Sequence, residues 1–333
     1  MALFKSTFDE ADMSTDYELV DKQTADLQKK SNPKSKQILN DAIDLAMKGD
    51  LSDLKKIRAG QAISPYEKGV THHDEYFQYG NDKILVRYYY PEKCTKPSDL
   101  PIFIFIHGGG WCHSSVEQRN YMLSRLSLLS NIIVASINYT LSPDVKYGRS
   151  IDECYQIYAD IVNKSSSTRL IFISGDSSGG NLAAALIHKI KSTDQNLRLP
   201  NALLLFYPVI DLYNDYPSHH IYENGFGLEL DHLKKCIDAY VPDVEMRKDP
   251  LYSPNFGDLR YFPPSLVITS QFDVLRSEGL AFAKKLDESG VPVRYICMKS
   301  AEHGFFATAG IHIEKLTNIG LAYIEEFLKI FIK

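Results

Sequence analysis

The sequence predicts an α/β protein built on a mostly parallel central sheet with helices on both faces. Three observations carry that prediction. From about residue 72 onward, short and nearly continuous apolar runs recur, as strands covered on both faces require. Helix-like stretches alternate with most of these runs. One of the runs, IFIS at 171–174, passes through a cluster of glycines and serines directly into a helix-like stretch.

Residues 1 to about 70 are polar and helix-friendly. Ile38, Ala42, Leu45 and Ala46 fall at helical spacing and Gly49 is a natural stop, so residues 1–70 are expected to add a helical piece outside the sheet. The first strand signal is KILVRYYY (83–90), β-branched and aromatic. PIFIFI (101–106), NIIVASI (131–137), RLIFIS (169–174), NALLLFY (201–207), PSLVITS (264–270) and PVRYICM (292–298) follow. The clearest helix signals between and after them are 118–129, 151–162, 181–190, 278–289 and 313–331. Residues 212–262 break the alternation. They are rich in Tyr and Pro, with one helix-like core at Leu228–Tyr240. That is too long for an ordinary loop, and it reads as an insertion lying over the strand ends as a lid on the N-terminal helices. The expected division is therefore a segment at 1–70 and a main domain at 71–333 carrying the insertion.

Bulk properties exclude several classes. The 333 residues carry a formal charge of -5, which argues against a general nucleic-acid or membrane-surface role. The five cysteines are odd in number and scattered, with no CxxC, so neither a disulfide framework nor a zinc site is expected. No apolar run approaches the ~18 residues of a membrane span, and the start does not look like a signal peptide. The expected location is cytoplasmic.

Gly175-Asp176-Ser177-Ser178-Gly179 matches G-x-S-x-G between a strand and a helix, the nucleophile-elbow pattern of α/β-hydrolases. A sharp turn there strains the central residue and pushes its side chain out, and the flanking residues must be small. Ser177 is thus the candidate nucleophile, at a helix N-terminus that favours developing negative charge. Ser178 is the rival serine, but it falls in the first helical turn, where its backbone N–H is more useful than its hydroxyl.

A serine hydroxyl needs a base, an orienting acid and oxyanion donors. His107-Gly108-Gly109-Gly110-Trp111 follows a strand, and its glycines let backbone N–H groups face a substrate oxygen. His107 reads as a structural support of that loop. The base is expected late in the chain. His303, in a loop after the last strand and before Gly304, fits best. His188, about three turns into the helix that starts at the elbow, reads as a surface residue. His219, His220 and His232 lie in the insertion and His312 at the start of the final helix. For the acid, Asp273 follows the next-to-last strand at its C-terminal end. Asp211 is its rival, and Asp249 is weaker. Ser177, Asp273 and His303 then appear in the order Ser…Asp…His.

HGGGW (107–111), GDSSGGN (175–181), YPVIDL (207–212), FDVLRSEG (272–279) and EHGF (302–305) together resemble the hormone-sensitive-lipase family of carboxylesterases over roughly residues 70–333. The resemblance implies an α/β-hydrolase fold with a helical cap and hydrolysis of esters with short or medium acyl chains, without metal or cofactor. By position it implies oxyanion donors at the N–H groups of Gly109, Gly110 and Ser178, with Gly108 and His107 supporting the loop. Relatives also pair edge strands into homodimers, which this resemblance leaves open here. The family's D-Y-R-L-A-P-E is replaced by Asn138-Tyr-Thr-Leu-Ser-Pro-Asp144, so an ion pair beneath the site is expected to be missing. Two other readings remain: a catalytically dead small-molecule receptor, against which the retained His303 argues, and amide or acetyl-group hydrolysis. Cys112 and His113 either line the pocket or point away.

Overall fold

Alternate residues of the central strands divide the core into two layers. Ile102, Ile104 and Ile106 pack into one layer, while Phe103 and Phe105 pack into the other. The period of two along a strand sends neighbouring side chains to opposite faces, and both faces are covered. The computed structural model describes residues 3–10, 33–94, 96–145, 147–306 and 311–332.

In chain order the elements begin with β1 (Thr7–Asp9), α1 (Pro33–Met47), α2 (Ser52–Ala59), β2 (Val70–Tyr79), β3 (Asp82–Pro91) and β4 (Ile102–Ile106). There follow α3 (Asn120–Ser130), β5 (Ile133–Asn138), α4 (Arg149–Lys164), β6 (Ile171–Asp176), α5 (Ser178–Thr193) and β7 (Ala202–Phe206). The chain continues through α6 (Pro217–Ile221), α7 (Leu230–Tyr240), β8 (Ser265–Phe272), α8 (Arg276–Glu288), β9 (Val293–Glu302) and α9 (Ile311–Leu328). The described residues form a nine-stranded sheet in the order β1-β9-β8-β7-β6-β4-β5-β3-β2. Only the pairs β2–β3 and β3–β5 are antiparallel. Residues of α4, α5 and α8 fill one layer; those of α3 and α9 fill the other. Strands β4, β6, β7 and β8 are buried along their whole length, as their continuous apolar runs require. No described helix is long and apolar enough to cross a membrane.

Three expectations need correction. The N-terminal segment is not wholly outside the sheet, because β1 pairs in parallel with β9 and Phe8 stacks on Tyr295 at 6.1 Å. A three-residue strand is too short to leave a pattern in sequence. The core face of α1 is also rotated from the expected stripe. Ala42, Ile43 and Ala46 are buried, whereas Ile38 and Leu45 are exposed. The face was set by its neighbour α7, to which it is tied by Lys36–Glu229 (2.7 Å), Lys235–Asp44 (2.6 Å) and His232 Nδ1–Asn40 Oδ1 (2.6 Å). Finally, His188 is not on the surface. It is 5% exposed, its Nε2–H donates to the Pro254 carbonyl at 2.9 Å, and its Nδ1 accepts from the Tyr261 hydroxyl at 2.6 Å. Helix α5 runs through the core on every side, so position along it was no guide to exposure.

Burial pushes the His188 pKa down to about 4. The unfolded chain takes up a proton near pH 6.5 that the folded chain resists. This contribution to stability is therefore complete above about pH 6.5 and declines as pH falls toward 4. His188→Gln is expected to remove about 2 kcal/mol of the acid-induced loss between pH 7 and pH 5, measured by urea unfolding of both proteins at each pH. An unchanged pH slope in the variant would refute the assignment.

Candidate active site

The turn between β6 and α5 places Ser177 at φ 55° and ψ -123°, a strained conformation for a residue with a Cβ. Its neighbours make the strain tenable. A Cβ on Gly175 would collide with the backbone of Gly179, and one on Gly179 would collide with the carbonyls of Ile106 and His107. Only glycine lets β6, α5 and β4 approach so closely. The Ser177 N–H donates to the Phe206 carbonyl at 2.9 Å, and the Ser177 carbonyl accepts from Val209 at 3.1 Å. The turn is thus pinned to the end of β7 on both sides of its peptide.

The structure brings together Ser177, Asp273 and His303, which lie after β6, β8 and β9. His303 Nε2 is 2.9 Å from Ser177 Oγ, and His303 Nδ1 is 2.7 Å from Asp273 Oδ2. The Asp273 carboxylate is fully buried and its Oδ1 accepts from the Leu275 N–H at 2.9 Å. Nδ1 therefore carries the proton and donates to Asp273, leaving Nε2 as acceptor for the Ser177 hydroxyl. A hydroxyl, an imidazole and a buried carboxylate in series can move a proton off the hydroxyl.

The glycine loop lies against the same serine. A Cβ on Gly108 would stand 2.9 Å from Ser177 Cβ. The Gly108 N–H is taken by Asp176 Oδ1 at 2.8 Å. Among the described residues the N–H groups of Gly109 and Gly110 have no acceptor. Ser178, the first residue of α5, has no intrahelical acceptor for its own N–H. Gly109 and Gly110 have φ of 122° and 58°, which a side chain would strain. His107 supports the loop: its Nδ1 donates to the Gly108 carbonyl at 2.8 Å and its ring stacks on Tyr139 at 4.5 Å. Burial pushes its pKa down to about 4, so it stays neutral.

The rival residues have other partners. Asp211 accepts from the N–H groups of Tyr213 and Asn214 and from the Tyr216 hydroxyl, organising its own loop. Asp249 Oδ1 accepts from the Leu251 N–H in a turn. His219 bridges Asp215 and Glu278, and His220 also bonds Asp215. The side chain of His312 lies outside the described residues. Cys112 is buried, and a Cβ on Gly110 would stand 2.6 Å from Cys236 Sγ, so α7 rests directly on the glycine loop. The His113 ring faces that of His232, with centroids 5.9 Å apart.

Sequence reasoning missed three supports. The hydroxyl of Ser178 accepts from the Trp111 N–H at 3.1 Å, joining elbow to glycine loop. Tyr207, within the quoted YPVIDL, sets its ring edge-on to His303 at 4.8 Å. Arg119 forms a buried two-pronged pair with Asp176, at 3.1 and 2.7 Å. Nothing local distinguishes Arg119 from a surface arginine. The ion pair expected to be missing beneath the site is partly replaced: Thr140 donates from its N–H and its hydroxyl to Glu153, both at 2.8 Å, and Arg149 pairs with the same carboxylate at 2.5 Å.

Comparison with known proteins agrees with this architecture. A family described as alpha/beta hydrolase fold matches residues 103–307, more than half of the chain. Lipase 2 of Moraxella sp. strain TA144 is 29% identical over 264 residues, covering 70% of this chain and 60% of the lipase. The chain thus spans about three fifths of that relative's length. Ethyl acetate hydrolase of Pseudomonas putida is 26% identical over 249 residues, covering 73% and 77%. The crystal structure of a thermostable esterase from Pseudomonas putida ECU1011 superposes with a TM-score of 0.74 at 25% identity, covering 91% of this chain and 93% of the esterase.

The pair behind the elbow supplies a test of the turn. Arg119→Ala strands the Asp176 charge in the core and is expected to cost about 3–5 kcal/mol. Denaturant unfolding measures it, and a loss below about 1 kcal/mol would show that the turn does not need the pair.

Proposed function

Since the chain belongs to the hormone-sensitive-lipase family of α/β-hydrolases, we propose that it is a serine carboxylesterase acting on esters of short- to medium-chain acids. The observation that carries the reading is one imidazole hydrogen-bonded at 2.9 Å to Ser177 and at 2.7 Å to Asp273. His303 takes the proton from Ser177 as its oxygen attacks the ester carbonyl. Asp273 holds the imidazole in the required tautomer and stabilises its protonated form. The N–H groups of Gly109, Gly110 and Ser178 receive the oxyanion, each such donor contributing about 2.7–4 kcal/mol. His303 then returns the proton to the leaving alkoxide. Water, activated by the same imidazole, releases the acid from the acyl-enzyme. No metal or cofactor enters the scheme.

The N-terminal helices and residues 212–262 are read as the cap over this site. Support comes from the bonds between α1 and α7 and from the seat of Cys236 on Gly110. Acyl length is then a question of the space the cap leaves, which a series of p-nitrophenyl esters measures directly. Activity is expected to be highest on acetate to hexanoate and to fall for long chains.

Ser177→Ala is expected to lower kcat on p-nitrophenyl butyrate by roughly 10⁴–10⁶-fold with the fold intact by circular dichroism. A fluorophosphonate probe should label the wild-type protein and not the variant. Turnover undiminished in Ser177→Ala sinks the reading.

A further inference from the structure

We propose that Arg58, on the N-terminal helix α2, is a positioning residue that aims the N–H of Gly110 at the oxyanion. The proposal rests on the esterase reading above and extends it to a segment in which sequence reasoning found no functional signal.

The Arg58 guanidinium uses three nitrogens on three acceptors. Its Nε donates to the Cys112 carbonyl, its Nη2 to the Ser142 carbonyl and its Nη1 to the Asp144 carboxylate, each at 2.8 Å. The side chain is 15% exposed. Both segments it grips belong to the loop's support, because the Ser142 N–H itself donates to the Trp111 carbonyl at 2.8 Å. The neighbouring Gln61 adds a second hold, accepting from the Ser114 N–H at 3.0 Å.

The grip passes to the reaction centre through two peptide planes. The peptide joining Cys112 and His113 is held at its carbonyl by Arg58. A trans peptide sets its N–H opposite its carbonyl, and the His113 N–H donates to the Gly109 carbonyl at 3.0 Å. That carbonyl belongs to the peptide joining Gly109 and Gly110. Its other end is the Gly110 N–H, which has no acceptor among the described residues. Fixing the Cys112 carbonyl therefore fixes the Gly110 donor. Glycine makes this necessary, since Gly109 and Gly110 at φ of 122° and 58° have no side chains to set their own orientation. A lysine would supply one point charge where a planar fork meets three acceptors.

The test compares wild type with Arg58→Ala, Arg58→Lys and Asp144→Asn. The readouts are kcat and KM on p-nitrophenyl butyrate, and inhibition by an aryl trifluoromethyl ketone, whose adduct with Ser177 carries the oxyanion. Arg58→Ala is expected to lower kcat roughly 10- to 100-fold with KM within about twofold, as small misplacement of catalytic groups does. Affinity for the ketone should fall by a similar factor, and millimolar guanidinium should restore part of both. Arg58→Lys should recover little, and Asp144→Asn should show a smaller loss of the same kind. If Arg58→Ala does not fold, Arg58→Lys and Asp144→Asn carry the same readouts. Wild-type turnover with undiminished kcat in the Arg58 variants overturns the proposal alone. So does a kcat loss that leaves ketone affinity unchanged. A wild-type protein that neither turns over esters nor labels with fluorophosphonate overturns the esterase reading and this proposal with it.

Discussion

Everything at the site depends on how closely three backbones approach one another behind Ser177. The ends of β4 and β6 and the first turn of α5 meet where Gly175 touches Gly179 and Gly179 touches the carbonyls of Ile106 and His107. Any Cβ at either glycine would push α5 off the sheet. With it would go the positive φ of Ser177 and the alignment of its hydroxyl with His303. The strain at Ser177 costs of order 1–3 kcal/mol and persists because the surrounding core over-determines the turn.

Electrostatics hold what packing brings together. Asp176, beside Ser177, buries its carboxylate in the protein. There it meets Arg119, the Gly108 N–H and, at 3.5 Å, the Tyr207 hydroxyl. One buried charge thus ties the elbow to the glycine loop and to the helix-bearing segment after it. The hydroxyl of Ser178 repeats the tie one residue later through Trp111. Elbow and glycine loop are consequently tied together as one unit, which is what the proposed preorganised stabilisation of a charge requires.

The helices read as the cap are joined to that unit with a different chemistry. Helices α1 and α7 meet through partly exposed charged and polar pairs around a small apolar seam of Ala42, Ile43 and Ala46. Such pairs contribute little each and are screened by salt. Strands β4, β6, β7 and β8, by contrast, are buried along their whole length. Stability is therefore concentrated beneath Ser177, Asp273 and His303, and α1 and α7 belong to the less stable part of the molecule, where local opening is cheapest.

Much of this was legible in the chain itself. Strands β4 to β8 were readable because a strand covered on both faces needs an unbroken apolar run, whereas the short β1 and the largely exposed β2 gave no such run. Ser177 and its glycines were readable because the turn's steric demand falls on residues two apart in sequence. Asp273 and His303 were legible as candidates from chain order, from their places after their own strands, and from the FDVLRSEG and EHGF segments. Arg58, Arg119, the Ser178 hydroxyl, the depth of His188 and the true face of α1 were not. Each is defined by a partner from 54 to 192 positions away: Cys112 and Asp144 for Arg58, Asp176 for Arg119, Trp111 for Ser178, Pro254 and Tyr261 for His188, and His232 and Lys235 for α1. Local patterns report the constraints a segment places on itself. Where a guanidinium or an imidazole finds its acceptor is decided only when distant segments are packed together, because a polar group cut off from water takes whichever partner the fold puts within reach.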